Sequence, residues 1–408
     1  MLRRLVMSSV ALVLIAGVPV AHAAASARAR VRPVVHVART CPAPKVAGVA
    51  ACLALVRTDA SGRPLVSADL PSGYGPAQFH TGYDLPTTTS TPQTIAIVDA
   101  FSEPNIASDL ATYNATFGLP AFKKCKKPAQ TNCLAVLNQD GNTSPLPKGN
   151  VGWGVEIALD VETAHEICQN CRIDLFEADS ASFADLGATV DTAASLGADV
   201  ISNSYGSNKS SDCKEKPAYD HPGVAITVSA GDSGFGFGIS CPANLNTVVA
   251  VGGTTLHLNS DNTWQSETVW GGTGSGCSVR NPAQAWQTAE STWSAIGCGT
   301  GRGFNDVSAD ASPGAGAAAI YDSYGQGGWE RVGGTSLASP LIAAVFALAG
   351  NASSFPYPAQ SVYLDSGADL HDITAGTNGI CTPPLKCRAG SGYDLPTGVG
   401  TPKGIGAF

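Results

Sequence analysis

Ser336 stands in the run Gly333-Gly334-Thr335-Ser336-Leu337-Ala338-Ser339-Pro340, a small-residue turn directly ahead of the apolar stretch Leu341 to Leu348. A hydroxyl at the start of a helix has unpaired N–H groups and a favourable dipole beside it. That setting suits a nucleophile whose attack creates an oxyanion. The glycines let a substrate backbone approach. Pro340 is expected in the first turn of the helix, where its missing N–H costs little. The same residues could equally be a Ser or Thr cap after a glycine turn, so the remainder of the chain has to decide.

Two acids strengthen the chemical reading. Glu156 and Asp160 lie one helical turn apart, beside Trp153, so both carboxyls project from one face. An acidic pair at this spacing is ordinarily a solvated face. Here Val155, Ile157, Ala158, Leu159 and Val161 make the helix apolar nearly all round, as a buried helix is. Two buried carboxyls so close cannot both ionise freely, and one can hold a proton while the other acts as a base. A third acid, Asp232, follows the apolar strand Val224 to Val228 in Ser229-Ala230-Gly231-Asp232-Ser233-Gly234. Alone it is a turn aspartate; at a strand end it also fits a position near the Ser336 hydroxyl. None of His80, His165, His221, His257 or His371 stands in a convincing setting for a general base. A serine activated by carboxylates is the better reading. Asp99, at the end of an apolar strand, is assigned a structural role.

The elements that must position these residues alternate. Strands are expected at Thr94–Val98, Arg172–Ala178, Asp199–Asn203, Val224–Ser229 and Thr247–Val251, and helices at Ile106–Phe117, Val155–Ile167 and Phe183–Leu196. Residues 120–150 read as an irregular excursion containing a hairpin. Such alternation predicts an α/β, doubly wound, mostly parallel sheet with helices on both faces. Ligands then bind outside the carboxyl ends of the strands.

Arg3 and Arg4 precede an apolar run from Leu5 to Val20 and then Ala21-His22-Ala23, the pattern of a secretory signal peptide over residues 1–23. Residues 24–73 carry no long period and read as a short prosegment or mobile lead-in, leaving 74–408 as one domain. Net charge is −8 with 14% charged residues, and no basic patch matches a nucleic-acid footprint. No membrane contact is expected after signal removal, and the protein is expected to be a monomer. All 12 cysteines follow the signal and are read as disulfides in an oxidising, extracellular space. Joining neighbours pairs Cys41 with Cys52, Cys125 with Cys133, Cys168 with Cys171, Cys213 with Cys241, Cys277 with Cys298 and Cys381 with Cys387, although spacing alone does not determine connectivity.

From Tyr74 onward the chain resembles the sedolisins, the serine-carboxyl peptidases. The resemblance rests on Trp153-Gly154-Val155-Glu156-Ile157-Ala158-Leu159-Asp160, the Ser-Ala-Gly-Asp-Ser-Gly run and Gly-Thr-Ser-Leu-Ala-Ser-Pro, in that order. It implies a subtilisin-like fold, a secreted, acid-acting endopeptidase working on proteins or peptides, and a Ser-Glu-Asp triad. Ser336 would be the nucleophile, Glu156 its base, Asp160 the partner of Glu156, and Asp232 the oxyanion acid. It also implies one structural Ca²⁺ near the C-terminus, held by Asp372, Ile373, Gly390, Gly392 and Asp394. Carboxylates and backbone carbonyls make an oxygen set suited to that ion. The segment before Tyr74 is much shorter than the folded prodomain the family usually carries, and Gly333 replaces a frequent serine. Two other readings stay open: a subtilisin-type protease using Asp99, a histidine and Ser336, and a catalytically silent secreted binding domain of the same fold.

Overall fold

Three short strands begin the described chain: β1 (His36–Arg39), β2 (Ala51–Cys52) and β3 (Leu55–Thr58). The computed structural model describes residues 34–68, 71–127, 130–207, 213, 216–236, 241–325, 327–365 and 367–408. The expected signal peptide over 1–23 lies outside them. The compact unit runs from Val35 to Phe408. Within the segment read as a short prosegment or mobile lead-in, β1, β2 and β3 are hydrogen-bonded to one another or to strands later in the chain. Its apolar residues explain this: Cys52, Leu53, Ala54, Leu55 and Val56 are all buried, and leaving them exposed would forfeit that burial.

After α1 (Pro76–Gly82) come β4 (Thr94–Ala100), α2 (Ile106–Phe117), β5 (Lys123–Lys124), β6 (Cys133–Asn138), α3 (Val151–Ile167), β7 (Arg172–Ala178), α4 (Phe183–Ser195), β8 (Val200–Asn203) and β9 (Tyr205–Gly206). Then follow β10 (Ala225–Ser229), β11 (Val249–Leu258) and β12 (Trp264–Val269). The main sheet runs β5-β6-β7-β4-β8-β10-β11-β12. Its neighbours are parallel except the pair β11 and β12. The hairpin expected within 120–150 is absent from the described residues there, because β5 and β6 run parallel.

Beyond the main sheet, β13 (Gly276–Pro282) and β14 (Gly301–Phe304) form a separate antiparallel pair, with α5 (Ala285–Thr288) and α6 (Trp293–Ile296) between them. β15 (Val307–Asp310) joins β11 in parallel. β16 (Ala318–Asp322) and β17 (Gly328–Gly333) lead into α7 (Thr335–Ala349) and share a second sheet, β1-β3-β17-β16, with the opening strands.

Helices cover both faces, and the strand residues alternate accordingly. Ile95 and Ile97 of β4 join the core under α3 and α7, whereas Ala96, Val98 and Ala100 join the core that holds Phe183, Leu186 and Val190 of α4. β4 lies between β7 and β8, so the winding reverses there and a crevice forms beyond the carboxyl ends of these strands. Asp99, Glu177 and Asn203 stand at those ends.

Local chemistry sets the helices that meet at the crevice. Asn150 caps α3, its side chain accepting from the N–H of Gly152 at 3.0 Å and of Trp153 at 3.2 Å. α3 is buried from Trp153 to Ile167, as its apolar circumference requires. α7 begins at Thr335, so Pro340 lies inside the helix and not in its first turn. The N–H that Pro340 lacks would have bonded the Ser336 carbonyl. That carbonyl accepts instead from Ser204 Oγ at 3.4 Å, which ties the Ser336 turn to the residue after β8.

Candidate active site

Ser336, Glu156, Asp160 and Asp232 meet at the carboxyl end of the main sheet, all of them buried. Gly334 precedes α7 with φ of 103°, a conformation that favours glycine. Ser336 is the second residue of the helix, and its Oγ donates to the Ser204 carbonyl at 3.3 Å. The same hydroxyl lies close enough to Glu156 to oppose the rise in that carboxyl's pKa, with Oε1 left without a hydrogen-bond partner.

Glu156 Oε2 accepts the N–H of Ala54 at 2.7 Å. Burial pushes the Glu156 carboxyl well above its ordinary value, the charge of Asp99 adds to this, and the Ser336 hydroxyl and Ala54 N–H oppose it. Asp160 is pushed well up by burial, then by Asp99 and Glu156, against the Ser204 hydroxyl. Asp99 is raised to about 8 by burial and by Glu177. These three carboxyls cannot all ionise in so dry a place. Glu156 alone accepts a hydrogen bond, from the Ala54 N–H; both oxygens of Asp160 and of Asp99 are buried without a partner. A charged carboxyl is thereby better accommodated at Glu156, the acid beside the serine, than at the other two.

Asp232 is held differently. Its Oδ1 accepts both the N–H and the hydroxyl of Thr335 at 2.8 Å, while Oδ2 is buried with no hydrogen-bond partner. Burial raises its pKa to about 6, against the Thr335 bonds and the Arg39 charge. Arg39 donates to the Asp232 carbonyl at 3.1 Å and to Ser233 Oγ at 3.0 Å. A carboxyl protonated at Oδ2 is a hydrogen-bond donor anchored one residue from Ser336.

Asp99, assigned a structural role from sequence, instead faces the acid pair and raises both members. The signal that could have placed it there was its position at a strand's carboxyl end, where the winding reverses. Thr335, Ser204, Arg39 and the Ala54 N–H also went unnoticed, since small polar residues and backbone groups carry no motif.

The described histidines lie elsewhere. His165, lowered to about 4 by burial, packs on Phe122 at a ring distance of 4.0 Å, nine residues along α3 from Glu156. His80 bonds the carbonyls of Leu85 and Glu166, His221 pairs with Asp191, and His371 stacks on Trp264. Among the described residues none stands beside Ser336, so a subtilisin-type base is not in place.

Oxygen ligands gather in two other places. Near the C-terminus the N–H of Gly390 bonds Asp394 Oδ2 at 2.9 Å and the N–H of Gly392 bonds Asp372 Oδ2 at 3.0 Å. The loop is thereby wrapped around both carboxyls, and Asp372 adds to the burial that raises Asp394 to about 7. Among the described residues no hydrogen bond is made to the carbonyls of Ile373, Gly390 or Gly392. Unspent carbonyls beside two mutually repelling carboxyls fit a hard cation. Separately, Glu103, Asp109 and Asp322 bring carboxylate oxygens within 4.8 Å of one another, although both Asp109 oxygens are taken by Ser323.

The 12 cysteines form six disulfides in the nearest-neighbour pattern, and none is free. Cys168 and Cys171 are bonded to each other, which uses up the one CxxC pair. Among the described residues no helix is long and apolar enough to cross a membrane.

Known proteins resemble the chain in sequence and in fold. Residues 155–366 match the model of the subtilase family. The chain is 29% identical over 379 residues to sedolisin of Pseudomonas sp. (strain 101), covering 82% of this chain and 61% of that protein. It is 29% identical over 363 residues to kumamolisin of Bacillus sp. (strain MN-32), covering 82% of this chain and 63% of that one. The chain thus spans less than two thirds of the length of either relative. The structure of Pseudomonas sedolisin, a serine-carboxyl proteinase complexed with pseudo-iodotyrostatin, superposes with a TM-score of 0.67 at 26% identity, covering 82% of this chain and 96% of that one. A family match across the crevice and α7, together with a shared fold along most of the chain, leads to one conclusion: the chain belongs to the subtilase family and is similar to sedolisins.

Proposed function

We propose that the protein is a secreted serine-carboxyl endopeptidase that hydrolyses peptide bonds of proteins or peptides under acid conditions through an acyl-enzyme on Ser336. The observation that carries this reading is that the acid-base group set against Ser336 is a buried carboxyl, Glu156, with no histidine beside it among the described residues. Glu156 takes the Ser336 proton as Oγ attacks the scissile carbonyl, then gives it to the leaving amine. Asp160 orients Glu156 and shares its charge, with Asp99 behind both. Asp232, protonated at Oδ2, donates to the tetrahedral oxyanion alongside the N–H of Ser336. Its raised pKa, about 6, supports an enzyme that works on the acid side.

Asp372 and Asp394, with the carbonyls of Ile373, Gly390 and Gly392, would hold one structural Ca²⁺ that ties two loops together; it takes no part in the chemistry. The disulfides and the leading Arg-apolar-small segment support an extracellular location, and a monomer acting on unfolded chains is the expected working form.

The test is digestion of a denatured protein at acid pH by wild type, Ser336→Ala and Glu156→Gln, with melting curves as the folding control. Each variant is expected to lose at least about 10⁴-fold in turnover while keeping its melting behaviour. Near-normal turnover by Ser336→Ala would remove that hydroxyl from the mechanism.

A further inference from the structure

We infer that the Leu53–Ala54 bond of the chain's own leading segment is the first substrate of this site, bound in cleavage register, and that the working enzyme begins at Ala54. This rests on the peptidase reading above and adds to it a bond and a subsite preference.

Three contacts converge on that single peptide group. First, β2 pairs antiparallel with β9, Ala51 opposite Gly206 and Cys52 opposite Tyr205. The ladder continues as the Leu53 N–H donates to the Ser204 carbonyl at 3.3 Å, the same oxygen that accepts from Ser336 Oγ at 3.3 Å. The segment is therefore an added strand that reaches the nucleophile at Leu53, which is how an extended substrate adds to a sheet edge. Second, a Cβ built on Gly334 would lie 2.2 Å from the Leu53 carbonyl oxygen and 2.7 Å from Asp232 Oδ2. The carbonyl thus faces the start of α7 beside the one Asp232 oxygen that has no partner. Third, the Ala54 N–H donates to Glu156 Oε2 at 2.7 Å. The carbonyl oxygen meets the oxyanion acid and the leaving nitrogen meets the base. A strand that merely covered the crevice would not need to divide its two peptide atoms in this way.

The segment is fixed on both sides of the bond. Cys41–Cys52 closes the loop before it, and Arg39 reaches Asp232 and Ser233. β3 after it pairs with β1 and with β17, Gly333 opposite Leu55. Such anchoring holds the bond where attack can occur.

The step balances without any co-reactant. Ser336 Oγ bonds the Leu53 carbonyl carbon while its proton passes to Glu156; the Leu53–Ala54 bond breaks as Glu156 returns that proton to the Ala54 nitrogen. Water then opens the ester, giving up a proton to Glu156, and leaves a carboxyl at Leu53, a free amine at Ala54 and the serine restored. The leucine side chain is buried in the bound segment, between small residues at 51, 52 and 54. The matching class of external substrate is an extended chain with a medium-sized apolar residue on the acyl side and a small residue on the leaving side.

The experiment takes the purified full chain from neutral to acid pH, follows it by intact mass and N-terminal sequencing, and adds an unfolded protein in parallel. Wild type is expected to yield a species beginning at Ala54, and Ser336→Ala none. Nonamer peptides spanning 50–58, with Leu or Asp at position 53, are then given to the processed enzyme. The leucine peptide is expected to be cut at least about tenfold faster. Digestion of the added protein with Leu53–Ala54 left intact, or with cuts only elsewhere in the segment, would overturn this inference and leave the peptidase reading standing. Failure to cut either substrate would overturn both. Equal rates on the two peptides would overturn the subsite preference.

Discussion

Thr335 holds Asp232 by two bonds to one oxygen: its N–H and its hydroxyl both reach Oδ1 at 2.8 Å. The other oxygen is left buried and without a partner, held by the residue that precedes Ser336. Asp232→Ala is therefore expected to cost on the order of 10²–10³ in turnover, the scale of one lost oxyanion donor. With Asp232 raised to about 6, the alkaline limb of the activity profile is expected near pH 6, because the donor disappears as Oδ2 deprotonates. A wild-type optimum at neutral or alkaline pH, on a substrate stable across the range, would defeat the carboxyl mechanism.

The acid limb belongs to Glu156 and Asp160 together, so it reports the coupled pair and not one residue. Asp99 is raised to about 8, so it is protonated and uncharged at the pH of that limb. Asp99→Asn is expected to leave both limbs of the activity profile in place. An acid limb that moved to lower pH in this variant would show that Asp99 carries charge at acid pH.

Within the pair, Glu156→Gln should be more damaging than Asp160→Asn, since an amide at 156 cannot accept the serine proton. Turnover measured for both variants at the wild-type optimum decides it. The reverse order would exchange the two assignments.

Stability should fall as pH rises from acid to neutral. Burial raises Asp99, Glu166 and Glu330 each to about 8, so between pH 4 and 8 the folded state binds protons that the unfolded chain has released. The stabilisation is complete below the unfolded carboxyl pKa and is lost as pH passes through the folded values. Each such group contributes a slope of about 1.4 kcal/mol per pH unit within that window. Melting temperatures measured from pH 4 to pH 8 are expected to decline steadily; a maximum near pH 8 would contradict the burial of these carboxyls.

Removal of calcium is expected to lower the melting temperature without changing which bonds are cut. Bound at a hundred times its Kd, one ion adds about 2.7 kcal/mol to the folded state. Asp372→Asn should abolish the response to chelator. Melting curves that coincide with and without exhaustive metal removal would count against Asp372 and Asp394 as ligands.

What the sequence determined by itself was everything that depends on near neighbours. The one-turn spacing of Glu156 and Asp160 puts both on a single face of α3, and the apolar residues between them bury that face; both follow from helical period alone. Ile106–Phe117 and Arg172–Ala178 could be bounded to the residue because periodicity and Gly118 mark their ends. Each disulfide joins the next cysteine along the chain, a pairing that spacing left open and the fold decided. Only the tertiary structure decided what distant segments do to one another. Asp99 meets Glu156 because β4 ends where the winding reverses, and nothing near residue 99 records that α3 will cross there. Pro340 lies inside α7 because Ser204, at the far end of β8, takes up the carbonyl it leaves unbonded. Residues 36–58 show no period, being short strands whose partners, β9 and β17, are far along the chain. Their pairing is a long-range backbone event, and that is why a segment read as a lead-in came to rest on Glu156.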